Sequence, residues 1–293
     1  MFERILFPTK FEEFSLSILK SIACLKEAGL KEVILLYVID TEGFYTEVDG
    51  GFSFNLDLVR QTAMQKLDGL AESLRSEGIG IRSEIAMGPL VSEILKTAAL
   101  QDVSLIVAGR QKRDILGELF VGSTTDRIIR KSKAPVLVAK YHTLREVEGK
   151  VKESFCLDLF RKILYPTDWS PGAERAKAFL SALRQVGASE VVGIHVTEKL
   201  PYEAEYLNRE ALEQQVKEKM VALEQELQSV GFQVKTYALE GKPYREINRL
   251  ATEEDVSLIV MGCHGMGWVD GMLWGSVSQR VAEYSEKPVL LVK

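Results

Sequence analysis

Short runs of Ile, Leu and Val alternate along the chain with segments whose apolar residues recur every three or four positions. The runs predict strands at residues 4–8, 32–39, 82–87, 104–108 and 136–139. Helical spacing covers residues 15–28, with Leu16, Leu19, Ile22 and Ala23 on one stripe, and 56–77, with Leu58, Met64, Leu67, Leu70 and Leu74. Shorter helices are expected at 91–100 and 124–131. Such alternation of buried strand and helix predicts a parallel sheet covered by helices on both faces.

The pattern is then written a second time. Ile5, Leu6, Pro8 and Thr9 return as Ile163, Leu164, Pro166 and Thr167, and residues 32–39 return as 190–197 at the same offset. Residues 102–109 are answered by 255–262, and 135–140 by 288–293, at a shorter offset, which places a small deletion between the second and third strands of the second copy. Pro171 is well placed to open that copy's first helix, and residues 211–230 form a long, charged second helix. We read two domains, 1–140 and 161–293. A charged connector, 141–160, joins them, and its Phe155, Cys156, Leu157, Leu159 and Phe160 suit packing against a domain.

Within the second copy, the apolar run at 256–261 ends in a glycine-rich loop. At Gly275 and Ser276 the loop passes into helical spacing through Val277, Val281 and Tyr284. Strand, glycine loop and helix start in that order can cradle phosphate oxygens, because the first amides of a helix have no intrahelical acceptor and carry partial positive charge. In open α/β sheets, ligands also sit in the crevice at the carboxyl ends of strands where the strand order reverses.

These residues carry a resemblance. Gly262, Gly265, Gly275 and Ser276 satisfy every spacing of G-x2-G-x9-G-[S/T], and the second copy looks like a universal stress protein domain of the ATP-binding subclass. The stretch 163–168 resembles that family's first strand and 287–292 its last, so that the resemblance covers nearly the whole chain, twice. It implies two tandem α/β domains, each a five-stranded parallel sheet in the order 3-2-1-4-5, of the adenine-nucleotide-binding type. It further implies ATP or another adenine nucleotide, with Mg2+, held at the ends of strands one and four. Pro166, Thr167 and Asp168 would lie at that edge, with the Asp168 carboxylate on the ribose hydroxyls and the backbone near Val196 on the adenine. Gly262, His264, Gly265, Gly275, Ser276, Val277 and Ser278 would surround the phosphates, the hydroxyls of Ser276 and Ser278 adding donors. Pairing through the fifth strands is implied as well. In a tandem chain it would join the two copies as an intramolecular pseudo-dimer, with further homo-oligomerisation open.

The first copy departs from the motif. Lys112 stands where Gly265 does and Lys10 where Asp168 does, while Gly109, Gly122 and Ser123 persist. A lysine in place of a glycine obstructs close backbone approach. Two lysines near a helix start also suit an isolated anion, so a silent site and an altered anion site both stand.

Several residues admit plainer roles. Asp168, just ahead of Pro171, suits a helix N-cap. His264 orders the loop or touches phosphate more readily than it catalyses, since no partner acid or nucleophile accompanies it. Cys263 after a buried strand suits packing. Trp268 and Trp274 suit a cover for the nucleotide or a partner surface. Asp270 stands alone as a cation ligand, and His142 and His195 lack metal-ligand spacing. The charges between 203 and 219 read as a solvated helix face.

Composition narrows the classes. Of 293 residues 46% are apolar and 27% charged, enough for two ordinary cores, and the net charge of −5 argues against a general nucleic-acid binder. Cys24, Cys156 and Cys263 are scattered, suggesting neither disulfide framework nor zinc site and fitting a reducing cytoplasm; no signal peptide or membrane span is read. The expectation is a cytoplasmic, nucleotide-dependent stress or regulatory protein with an unidentified protein partner. A slow ATPase, a nucleotidyl transferase and a ligand-free interaction platform remain alternatives. The transferase lacks H-x-G-H, K-M-S-K-S and S-G-G-x-D-S patterns, and efficient hydrolysis lacks a P-loop lysine.

Overall fold

The computed structural model describes residues 1–11, 15–42, 55–75, 78–110, 123–140, 159–198, 209–264 and 275–293. The chain divides into two compact units. The first holds β1 (Arg4–Pro8), α1 (Ser15–Ala23), β2 (Glu32–Asp40), α2 (Leu56–Arg75), β3 (Gly80–Gly88), α3 (Leu90–Leu100), β4 (Leu105–Arg110), α4 (Ser123–Lys131) and β5 (Val136–Lys140). The second repeats the series as β6 (Lys162–Pro166), α5 (Pro171–Arg184), β7 (Glu190–Thr197), α6 (Arg209–Ser229), β8 (Gln233–Glu240), α7 (Pro243–Glu253), β9 (Leu258–Gly262), α8 (Ser276–Tyr284) and β10 (Val289–Val292).

In the first unit the strands run β3-β2-β1-β4-β5, all parallel. In the second they run β8-β7-β6-β9-β10, again all parallel, so both units have the expected 3-2-1-4-5 order. Parallel strands covered on both faces must be apolar throughout, and Ile5, Leu6, Ile34, Leu35, Leu36, Ile163, Leu164, Val191, Val192, Ile259 and Val260 are buried. β3 and β8 carry exposed positions along one edge of each unit.

The stripe on α2 differs from the expected one. Ala63, Leu67, Ala71 and Leu74 face the core, whereas Leu58 and Met64 are exposed, at 58% and 37%. Ala63, Leu67, Ala71 and Leu74 keep a spacing of four, four and three that the period of 3.6 sustains, and the alanines let the helix approach the sheet closely. Residues 15–28 also split: α1 stops at Ala23 and a tighter 3-10 segment, Cys24–Ala28, ends at Gly29 in the left-handed region (φ 93°). Phe160, at the end of the connector, is buried; the connector's Phe155, Cys156 and Leu157 lie outside the described residues.

The repeated Val-Ser-Leu-Ile-Val stretch has a physical reason. Ser104 accepts from the Arg4 amide at 3.0 Å and donates to the Arg4 carbonyl at 2.8 Å. Ser257 does the same with Lys162, at 3.0 and 2.9 Å. Each serine thereby clamps the start of its unit's central strand. Asp102 and Asp255, two residues earlier, take left-handed conformations at φ 47° and 45°.

Beside the clamp of the second unit, Glu254 accepts from Lys162 Nζ at 2.7 Å, from the Tyr237 hydroxyl, and from Lys235 at 3.1 Å. The hydrogen bonds from Lys162, Tyr237 and Lys235 pull its carboxyl down from 4.5 to about 2. A depressed carboxyl stabilises the fold above its unfolded value and loses that contribution as pH falls toward 2. Glu254→Gln should therefore be less stable than wild type in urea at pH 7. The two midpoints should converge between about pH 4.5 and pH 2; a gap independent of pH would remove the carboxylate from the account.

Candidate functional site

The ends of β6 and β9 adjoin at the reversal of strand order in the second unit, and each turns into a helix there. β6 exits through Pro166, Thr167 and Asp168. The Thr167 amide donates to the Ile194 carbonyl at 2.9 Å, continuing the pairing with β7 for one more residue. Thr167 Oγ1 then accepts from the Trp169 amide at 3.0 Å, and Asp168 Oδ1 from the Ser170 amide at 3.0 Å. These two side-chain turns hold Trp169 at φ 57°, a conformation uncommon for a bulky residue. The N-cap of α5 is Ser170, whose hydroxyl accepts from the Ala173 amide at 3.2 Å, with Pro171 following. Asp168 therefore shapes the turn, and the capping role considered for it belongs to Ser170.

Trp169 is bracketed. Its indole lies 4.3 Å from the His195 ring, and Lys219 Nζ stands 4.6 Å from its centre. His195 Nδ1 is 2.9 Å from the Thr167 carbonyl, which can only accept, so that nitrogen carries the proton. Val196 follows on β7, half-buried and paired in register with Leu239. A cleft of about 310 Å3 opens one residue further on, between Thr197, Leu212, Val216 and Leu239.

β9 ends at Gly262, and the reason for glycine is contact with protein. A Cβ there would lie 2.5 Å from the Gly172 carbonyl carbon and 3.0 Å from the Ala173 nitrogen. Gly172 is under the same constraint: a Cβ on it would meet the His264 carbonyl oxygen at 2.4 Å. Two glycines thus let the first turn of α5 lie directly against the start of the loop. Cys263 is buried, with its amide donating to Val292 at 2.8 Å, and burial pushes its thiol up, as befits packing and not a thiolate nucleophile.

On the other side the loop rejoins itself. The Gly275 amide donates to the Cys263 carbonyl at 2.9 Å, and the Ser278 hydroxyl donates to the same carbonyl at 2.8 Å. Ser278 is 3% exposed, and its hydroxyl lies 2.8 Å from the Cys263 carbonyl and 3.0 Å from that of Gly275, so that its proton is directed into this seam. Ser276 is exposed and Val277 half-buried. The N-cap of α8 is Gly275, which has no side chain to accept from the first amides of the helix. α5 is capped by its own N-cap residue, and α8 is not.

Pro166, Thr167, Asp168, Gly262, His264, Gly275, Ser276, Val277 and Ser278 are thus brought to one end of one sheet, with Val196 on the adjacent strand. Gly265, Trp268, Asp270 and Trp274 lie outside the described residues. Among the described residues no group of three His, Cys, Asp or Glu is placed to hold a metal. Sequence reasoning missed Gly172, Trp169 and Lys219, and set His195 aside. Only Gly172 left a signal, a glycine inside the first turn of a helix, where it is costly unless something approaches closely.

The first unit repeats the bracket with other residues. Phe11 sits at φ 62°, its amide bonded to Thr9 Oγ1 at 2.9 Å, its ring 4.8 Å from Tyr37 and 5.3 Å from Lys66 Nζ. The seam is altered, Thr125 donating to Gly109 at 3.1 Å. Phe14 is the sequence counterpart of Gly172 and, with Lys112 and Gly122, lies outside the described residues. A side chain at the Gly172 position cannot coexist with a loop carbonyl placed as in the second unit.

Comparison with known proteins identifies the family. The Universal stress protein family matches residues 1–140 and 159–293. A universal stress protein of Methanocaldococcus jannaschii is 36% identical over 157 residues, which are 46% of this chain and 96% of that one. One from Mycolicibacterium smegmatis is 25% identical over 235 residues, covering 74% of this chain and 70% of its own. The crystal structure of a universal stress protein from Archaeoglobus fulgidus superposes with a TM-score of 0.71 at 25% identity, over 99% of this chain and 96% of that one. With two successive matches that together span nearly all of its length, the chain belongs to the universal stress protein family.

Proposed function

We propose that the chain is a cytoplasmic regulatory protein of the stress response that binds ATP or a closely related adenine nucleotide, as its Mg2+ complex, in the second unit. The observation that carries the reading is the start of α8, whose glycine N-cap offers no side-chain acceptor, joined by the Cys263 seam to the end of β9, which is seated on Gly172. Phosphate oxygens supply the acceptors that a helix start of this kind lacks. Asp168 stands at the adjoining strand end for the ribose, and Val196, near the end of β7, is on the neighbouring strand for the base. Ligand acts by favouring one arrangement of the loop, and a partner that reads the loop then senses occupancy. Binding, not turnover, is the activity proposed, since the sequence has no P-loop lysine and no motif that sets a partner acid or nucleophile beside His264.

Calorimetric titration of nucleotide-stripped protein with MgATP should give one site per chain. Gly265→Lys, which copies Lys112 of the first unit, should weaken that site at least tenfold. Two equal sites would overturn the assignment to the second unit, and no binding would overturn the nucleotide reading.

Gly172→Ala places a Cβ against the His264 carbonyl, so it should lower stability by about 1–3 kcal/mol in urea and weaken ATP binding in parallel. Unchanged stability and binding would mean that the loop does not rest on α5.

The fifth strands, β5 and β10, each end their unit's strand order, and we propose that they pair with each other within the chain. Hydrogen exchange on the full chain should then show β5 and β10 amides as protected as those of β1 and β6. Rapid exchange at alternate residues of both strands would exclude the pairing.

A further inference from the structure

At the start of α7, Lys242, Arg245 and Tyr244 meet Arg280 from the second turn of α8. The Arg280 guanidinium lies 4.9 Å from the centre of the Tyr244 ring and that of Arg245 5.9 Å, while Arg245 Nε donates to the Tyr244 hydroxyl at 3.1 Å. Tyr284 extends the aromatic surface, its ring 6.0 Å from Tyr244. Several other cations of this unit are paired with carboxylates: Arg249, on the same helix as Arg245, holds Glu246 and Glu253, and Lys162, Lys177, Lys235 and Lys287 each have one. Among the described residues no carboxylate lies within 4.0 Å of the charged nitrogens of Lys242, Arg245 or Arg280. The hydrogen bond from Arg245 and the charges of Arg245, Arg280 and Lys242 hold the Tyr244 hydroxyl below its ordinary value, as expected of a phenol in a positive field. In a chain of net charge −5 this is a local group of three positive charges that no carboxylate among the described residues pairs.

The first unit lacks the cluster. Pro89, Val91 and Ser92 occupy the positions of Lys242, Tyr244 and Arg245, and Arg127, the counterpart of Arg280, is paired with Glu42. The cluster thus occurs only in the unit whose glycine loop is intact. Arg280 lies one helical turn beyond Ser276 on the same side of α8, with its guanidinium over the Tyr244 ring at the start of α7. The forked guanidinium groups, with an ammonium beside them, match the oxygens of phosphate groups.

We infer that Lys242, Tyr244, Arg245 and Arg280 form a binding surface for a polyphosphate anion, beside the start of α8. The surface itself stands on the cluster alone; only the identification of that anion with the tail of a nucleotide rests on the function proposed above.

Inorganic tripolyphosphate, ATP and AMP are titrated into the full-length protein, into Arg245→Gln/Arg280→Gln, and into Arg249→Gln as a control for loss of a paired arginine. The double variant should bind tripolyphosphate or ATP at least tenfold more weakly, AMP being unchanged, and Arg249→Gln should differ from wild type by less than twofold. Loss of ATP affinity with AMP retained identifies the anion as the tail of the nucleotide. Loss confined to tripolyphosphate identifies a separate polyanion, and tripolyphosphate binding without any nucleotide binding retains this surface while removing the nucleotide reading. Equal affinities of the double variant and wild type for all three probes, or an equal loss in Arg249→Gln, would overturn the proposal.

Discussion

Between the end of β9 and the first turn of α5 there is no room for a side chain, and the second unit's site depends on that fact. A Cβ on Gly262 would strike the Gly172 backbone, and a Cβ on Gly172 would strike the His264 carbonyl two residues further along the loop. Their contact brings the His264 carbonyl down onto α5, and Ser170 Oγ adds a donor to it at 3.4 Å. The Cys263 carbonyl, one residue earlier, is turned toward Gly275 and Ser278. Successive carbonyls are thereby consumed on opposite sides of the loop. Backbone contacts thus tie the start of α8 to the turn that follows β6.

The same dependence separates the two units. Their strand order, their serine clamps, their left-handed aspartates and their bracketed aromatic residues are alike, since these belong to the sheet and its immediate edges. They part where a glycine has been replaced: Phe14 for Gly172 and Lys112 for Gly265. A sheet tolerates such changes because it is stabilised by burial along whole strands, which supplies most of the driving force for folding. A loop seated on backbone contact has no comparable reserve.

The strands were legible because apolar runs bounded by polar segments survive any local accident, and because the repeat supplied two readings of each; their order came from the family resemblance alone. The glycine spacing located the loop for the same reason. What was not legible were contacts between residues far apart in sequence. Trp169 and His195 stack although nothing in either segment announces the other, and the direction of the Ser278 hydroxyl depends on a carbonyl fifteen residues away. Periodicity also misled on α2, where Leu58 and Met64 look like core residues but Ala63 and Ala71 occupy the buried stripe. There, small size mattered more than hydrophobicity. The cap of α5 could have been read: a serine ahead of proline is the stronger N-cap signal than an aspartate two positions earlier.

The bracket around Trp169 has an optical consequence. All three tryptophans, Trp169, Trp268 and Trp274, belong to the second unit, and the first has none. Light absorbed near 295 nm is therefore taken up in one half of the molecule alone, with Trp169 emitting from between an imidazole and an ammonium group at the strand ends. Emission intensity and polarisation report the state of that end directly, against a first half that is dark at this wavelength, without any label being attached.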